Sequence, residues 1–114
     1  MPEGKLELEW RDGSAGQRIL ICKGPLTIAT LFGLRDAATQ AQGKWLILDM
    51  SQVPYVDSAG LGTLVQINVS CQRHGGRLAL AGPTSKTTAL LQMTNLSKVF
   101  QVYSSVAEAE QAPA

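Results

Sequence analysis

The sequence predicts an α/β domain built on a mixed β-sheet of about five strands, with an N-terminal hairpin portion, a parallel centre and three to four helices. Two observations carry this. Short apolar or alternating runs recur between segments of helical periodicity, and the first two such runs are separated by turn residues alone. Strands that alternate with helices are joined by right-handed crossovers and lie parallel, whereas strands joined by a short turn pair antiparallel.

The elements follow in order. Leu6, Leu8 and Trp10 alternate with charged residues as a half-buried strand does, and Asp12, Gly13, Ser14 and Gly16 then supply a turn into a second strand over Arg18–Lys23. After Gly24 and Pro25, Thr30 is placed to cap a helix whose apolar positions are Leu31, Leu34, Ala38 and Ala41, closed by Gly43. Trp45–Leu48 is an unbroken apolar run, too short for a helix and suited to a strand covered on both faces. Asp57 or Ser58 opens a second helix that ends at Gly75 and Gly76. Arg77–Ala81 is a fourth strand, broken by Gly82 and Pro83. Thr84 or Ser85 caps a third helix with Leu90, Leu91 and Thr94, ended by Asn95. Phe100–Tyr103 is the last strand, and Ser105 starts a short helix through Ala109.

At 114 residues, one domain spanning 1–114 is expected. Ten Lys and Arg against nine Asp and Glu give a formal charge of +1, so no basic stripe points to nucleic acid. Hydrophobic residues make up 45%, yet no apolar run approaches the roughly 18 residues that span a bilayer. MPEGKLELEW is too acidic for a signal peptide. A soluble, cytoplasmic protein without membrane contact is expected. Cys22 and Cys71 lack the partners a disulfide or metal site needs and read as reduced core thiols. The one histidine, His74, falls at a helix C-terminus, where a cation is favourable. No cofactor or metal is implied.

The stretch VPYVDSAGLGTL, from Val53 to Leu64, is the most informative. It joins a strand to a helix, where α/β folds present free amides and gather their sites. Gly60 and Gly62 fall in the first turns of that helix, where each costs about 1 kcal/mol relative to alanine. Three readings offset that loss. The glycines allow tight helix packing while Asp57 or Ser58 caps; or they leave Ser58 exposed to another protein's active site; or they cradle a phosphate, although the spacing fits neither G-x-G-x-x-G nor the P-loop. Along the helix, Leu61, Leu64, Val65 and Val69 form a stripe that Ile67 and Cys71 widen. Asn68 near its centre is either a hydrogen-bonded buried amide or a mark of partial cover. Ser58 as an enzymic nucleophile would need a nearby base. The elbow G-x-S-x-G fails at Val56, and His74, sixteen residues on, lies at the far end of the same helix. No catalysis is expected.

The segment LILDMSQVPYVDSAGLGTLVQI resembles the central signature of STAS domains, specifically of bacterial anti-sigma factor antagonists: an apolar strand ending in L-D-[LMF]-S, then D-S-[AS]-G-L-G. The resemblance continues through GPLTIATLFGL, GGRLALAGP and LLQMTNLSKVFQVYSSVAEA, nearly the whole chain. It implies partner switching. The serine of the signature, here Ser58, is phosphorylated by an anti-sigma factor that is itself a serine kinase, and a serine phosphatase reverses the modification. Only the unphosphorylated form binds the anti-sigma factor, thereby releasing a sigma factor for transcription. Carried over residue by residue, the partner-binding positions are Thr27, Asp57, Ser58, Ala59, Gly60, Leu61 and Gly62. Gly60 and Gly62 would keep the approach to Ser58 open, Asp57 would set the loop or face the kinase, and Leu61 would anchor the helix start in the core or the interface. Asp49, at the end of the buried strand, is a loop cap or a partner contact. The chain departs from the family at GPLT, where Thr27 stands in place of a frequent acid. A constitutive, unphosphorylated binding module in a transport or signalling complex is the alternative that the same resemblance allows.

Overall fold

The computed structural model describes residues 4–112. Along the chain lie β1 (Glu7–Asp12), β2 (Arg18–Lys23), α1 (Leu31–Ala38), a 3-10 turn (Thr39–Ala41), β3 (Trp45–Gln52), α2 (Ser58–Arg73), β4 (Arg77–Ala81), α3 (Ser85–Met93), β5 (Gln101–Tyr103) and α4 (Val106–Gln111). Among the described residues the strands form a five-stranded sheet in the order β1-β2-β3-β4-β5. β1 runs antiparallel to β2, with Leu8 opposite Cys22 and Trp10 opposite Leu20, and the other neighbours are parallel. The expected mixed sheet with its opening hairpin and parallel centre is the observed one.

Because successive strands step the same way across the sheet, right-handed crossovers put α1, α2 and α3 on one face. There Leu20, Leu46, Leu48 and Leu80 meet Leu34, Leu64 and Leu91 in the main core. The other face holds a smaller cluster, Ile19, Ile47, Ala79 and Ala81, packed against Ala109 of α4. β3 feeds both clusters, Leu46 and Leu48 one way and Ile47 the other, which is why it reads as a continuous apolar run.

Several boundaries differ from those the sequence suggests. β3 continues to Gln52 because its backbone pairing outlasts the apolar run: Asp49 stays in register with Ile21 and Ala81. The Asp49 carboxylate turns along its own strand and accepts from the Ser51 N–H at 3.1 Å and hydroxyl at 2.8 Å, so it acts as a local cap. β5 begins at Gln101, while Phe100 is buried in the main core. The first helix tightens to 3-10 geometry after Ala38. Thr30 does not cap it, since its hydroxyl donates to the Pro25 carbonyl at 2.8 Å and accepts the Thr27 N–H at 2.9 Å. Thr27 does the capping, with Oγ1 accepting the Ala29 N–H at 3.2 Å and its carbonyl accepting from Leu31.

In α2 the buried face is Gly60, Leu61, Thr63, Leu64, Ile67, Asn68 and Cys71. Val69, five residues past Leu64 and so about 140° around the helix, is exposed. Asn68 is buried and makes no side-chain hydrogen bond to another described residue. The helix ends as Gly76 N–H reaches the Cys71 carbonyl at 2.8 Å, with His74 Nδ1 2.8 Å from the Ser70 carbonyl at its C-terminus. Asn95 closes α3 at φ 60, its N–H bonded to Gln92 and that of Leu96 to Leu91. No helix among the described residues is long and apolar enough to cross a membrane.

Cys22 and Cys71 are free and buried. Burial, then the neighbouring Asp49 charge, push the Cys22 thiol up from 9.0 to about 12, and burial alone raises Cys71. Below pH 9 folded and unfolded chains both hold the Cys22 proton. Above it only the native state does, so stability falls as pH rises toward 12, by at most about 1.4 kcal/mol per unit from this group. The urea midpoint of the wild type should therefore drop faster than that of Cys22→Ala between pH 9 and 11; parallel profiles would contradict this.

Candidate functional site

The two strand-to-helix junctions that follow β2 and β3 lie side by side at the C-terminal edge of the sheet. Leu26 and Val56 form an isolated parallel bridge between them. The Leu26 N–H donates to the Tyr55 carbonyl at 3.1 Å, and the Asp57 N–H returns to the Leu26 carbonyl at 3.1 Å. The sheet's hydrogen bonding is thus prolonged past its last regular residues into the loops.

Asp57 resolves the choice of cap for α2. Its Oδ1 accepts the Gly60 N–H at 2.8 Å. Its Oδ2 accepts the Ile28 N–H of the other junction at 3.0 Å. One carboxylate therefore ties together the starts of two helical turns, whose unpaired amides favour an anion.

This leaves Ser58 as the first residue of α2, exposed. Its hydroxyl makes no hydrogen bond to another described residue, since Asp57 has taken the capping role that a serine here could have filled. The backbone N–H groups of Ser58 and Ala59 also have no acceptor among the described residues, being two of the four that a helix start leaves over. His74 lies beyond the other end of the sixteen-residue α2, about 24 Å along the axis.

The remaining expected residues separate into two groups. Gly60 is buried, and a Cβ there would collide with the Leu26 carbonyl oxygen and side chain. Its lack of a side chain lets α2 seat on the first junction, the tight-packing reading of this glycine. Leu61 belongs to the core. Gly62 is exposed, and a methyl group at its Cα would meet nothing within 4 Å. It lies one turn past Ser58 on the same side of the helix, where no packing demand explains a glycine. Thr27 is partly buried and spent on capping.

Two exposed apolar residues that the sequence pattern does not single out lie on the first junction and the helix it opens. Ile28, whose amide is held by Asp57, is 61% exposed, and Phe32, one turn further on, is 59% exposed. A signal for Phe32 exists in the sequence: it lies off the Leu31, Leu34 and Ala38 stripe. Arg35 covers its ring from 5.6 Å.

With fold and junction described, comparison with known proteins gives the class. The family model of the STAS domain matches residues 7–109, and the chain belongs to that family. It is 36% identical over 64 residues to a Thermotoga maritima protein named as a candidate anti-sigma factor antagonist; the match covers 56% of this chain and 57% of that protein. The chain thus spans little more than half the length of the curated relatives it matches. A crystal structure of a Thermotoga maritima protein with the same description aligns with a TM-score of 0.76 at 25% identity, over 90% of each chain. An anti-sigma factor antagonist from Mycobacterium paratuberculosis aligns with a TM-score of 0.81, over 96% of this chain and 93% of that one; its 20% identity bears on the fold alone.

The two glycines should respond in opposite directions. Gly60→Ala should lose about 2 kcal/mol or more through the clash with backbone, and Gly62→Ala should gain up to about 1 kcal/mol from helix propensity. Urea denaturation of the two variants measures both, and like responses would contradict the assignment.

Proposed function

We propose that this chain is an anti-sigma factor antagonist that works in the cytoplasm by partner switching. The unphosphorylated form binds an anti-sigma factor with serine kinase activity and frees a sigma factor. Phosphorylation of Ser58 by that kinase ends the binding, and a serine phosphatase restores it. The observation that carries the reading is the Ser58 hydroxyl: exposed, unbonded to any described residue and first in α2, with empty space beside Gly62.

The physics of the switch is local. A phosphate adds about −1.5 to −2 charges and three strong acceptors. The amides of Ser58 and Ala59 at the helix start favour it by about 0.3–1 kcal/mol, and Asp57, already bonded to two amides, has no need to move. A partner that met a small neutral surface now meets a dianion, and desolvating it without a matched cation costs several kcal/mol. At about 1.4 kcal/mol per decade, binding is lost without refolding.

Ile28 and Phe32 supply the apolar part of the surface. Both are more than half exposed, as an apolar anchor for a partner needs to be, and Asp57 fixes the loop that presents Ile28. Thr27, Ala59 and Gly62 form the small-residue remainder of this face, with Gly60 and Leu61 supporting it from beneath.

Incubation with the anti-sigma factor kinase and ATP, followed by phosphopeptide mapping, should find the label at Ser58; label elsewhere, or none, would favour a constitutive binding module instead. In titration calorimetry Ser58→Ala should bind the kinase as the wild type does, whereas Ser58→Asp and Phe32→Ala should each bind at least about tenfold more weakly. Equal affinity of Ser58→Ala and Ser58→Asp would overturn the electrostatic account.

A further inference from the structure

A cavity of about 200 Å³ opens in the groove between α1 with its 3-10 turn and the C-terminal half of α2. Its α2 wall begins at Gln66, two turns past Ser58 along the helix, and on the α1 side it adjoins Phe32 through Arg35. Ala38, Ile67 and Cys71 give it an apolar floor. Its mouth carries Arg35, Gln42, Gln66 and Ser70.

The charge and hydrogen-bonding balance of this groove is one-sided. Arg35 is the charged residue lining it, and no carboxylate is among the lining side chains. Arg35 makes no ion pair among the described residues and is steadied instead by the Phe32 ring, 5.6 Å away. The side chains of Gln42, Gln66 and Ser70 likewise make no hydrogen bond to another described residue. Four donor-bearing side chains thus line the groove together with its apolar residues. A carboxylate satisfies a guanidinium in a paired, charge-assisted arrangement and can accept further bonds from amides and a hydroxyl. The volume, about that of seven molecules of liquid water, is below the ~300 Å³ at which sites for drug-sized ligands begin.

We propose that the α1–α2 groove is a binding site for a small organic carboxylate, with the carboxylate held at Arg35 and a ring or short chain of carbon laid over Ala38, Ile67 and Cys71. Nothing in this depends on phosphorylation of Ser58. The site needs no movement of α1 or α2, because the groove is already open.

Benzoate is a suitable probe, with benzamide as its neutral and benzylamine as its cationic isostere. In amide-resolved NMR titrations of the intact chain, benzoate should give saturable shifts confined to the segments around residues 35–42 and 66–71. Benzamide and benzylamine should bind about tenfold more weakly or not at all. Arg35→Gln should weaken benzoate about tenfold or more while leaving the spectrum otherwise native. Ser70→Phe, which closes the mouth and keeps the cation, should abolish the shifts, and Ser58→Ala should leave them unchanged. Equal binding of benzoate and benzamide, an unaffected Arg35→Gln, shifts scattered over the surface, or no saturation would each overturn the proposal.

Discussion

A single carboxylate joins the two strand-to-helix junctions around Ser58. Asp57 accepts one amide from its own helix and one from the loop 29 residues earlier. Each bond is of the charge-assisted kind that is stronger than a neutral pair. Together with the Leu26–Val56 bridge, they make two loops into one surface. The neighbouring serine is left unengaged as a direct result, because its side chain has no cap to provide. Position and chemical availability at Ser58 are thus consequences of the residue before it.

That surface rests on an unequal pair of layers. Three helices cover one face of the sheet and the short α4 covers part of the other. α2 is the central element of the thicker layer, its buried side filled by Leu61, Leu64 and Ile67 and its start fitted against Leu26 through Gly60. Interiors packed in this way do not yield continuously to a small perturbation. A charge added at the exposed first residue of such a helix changes what the surface presents to a partner while the frame beneath stays as it was.

Much of this is legible in the residues. Strand and helix order follow from period and turn chemistry, because tertiary packing here reinforces the local preferences. Asn95 and Gly75 end their helices as their backbone requirements demand, at φ 60 and 82. What escapes is what depends on contacts between distant segments. Thr30 has the composition of a cap, but Pro25 supplies its hydroxyl with a competing acceptor, so Thr27 takes the role. Gly60 and Gly62 look alike in a string of letters; only the position of the Leu26 backbone separates one from the other. The second bond of Asp57 crosses from one crossover unit to another, which no local pattern encodes. Ile28 and Phe32 can be seen to lie off the apolar stripe, but the bond that ties the Ile28 amide to Asp57 requires the fold.

The far end of α2 is held as closely as its beginning. Gly76 abuts the Lys44 backbone so tightly that a methyl group would not fit, and the Arg77 N–H donates to the Lys44 carbonyl at 3.1 Å. The helix is therefore a strut clamped at both tips against main chain rather than against compliant side chains. Because both abutments are main chain, an added methyl group at either tip would have to displace a peptide unit and not merely a rotamer.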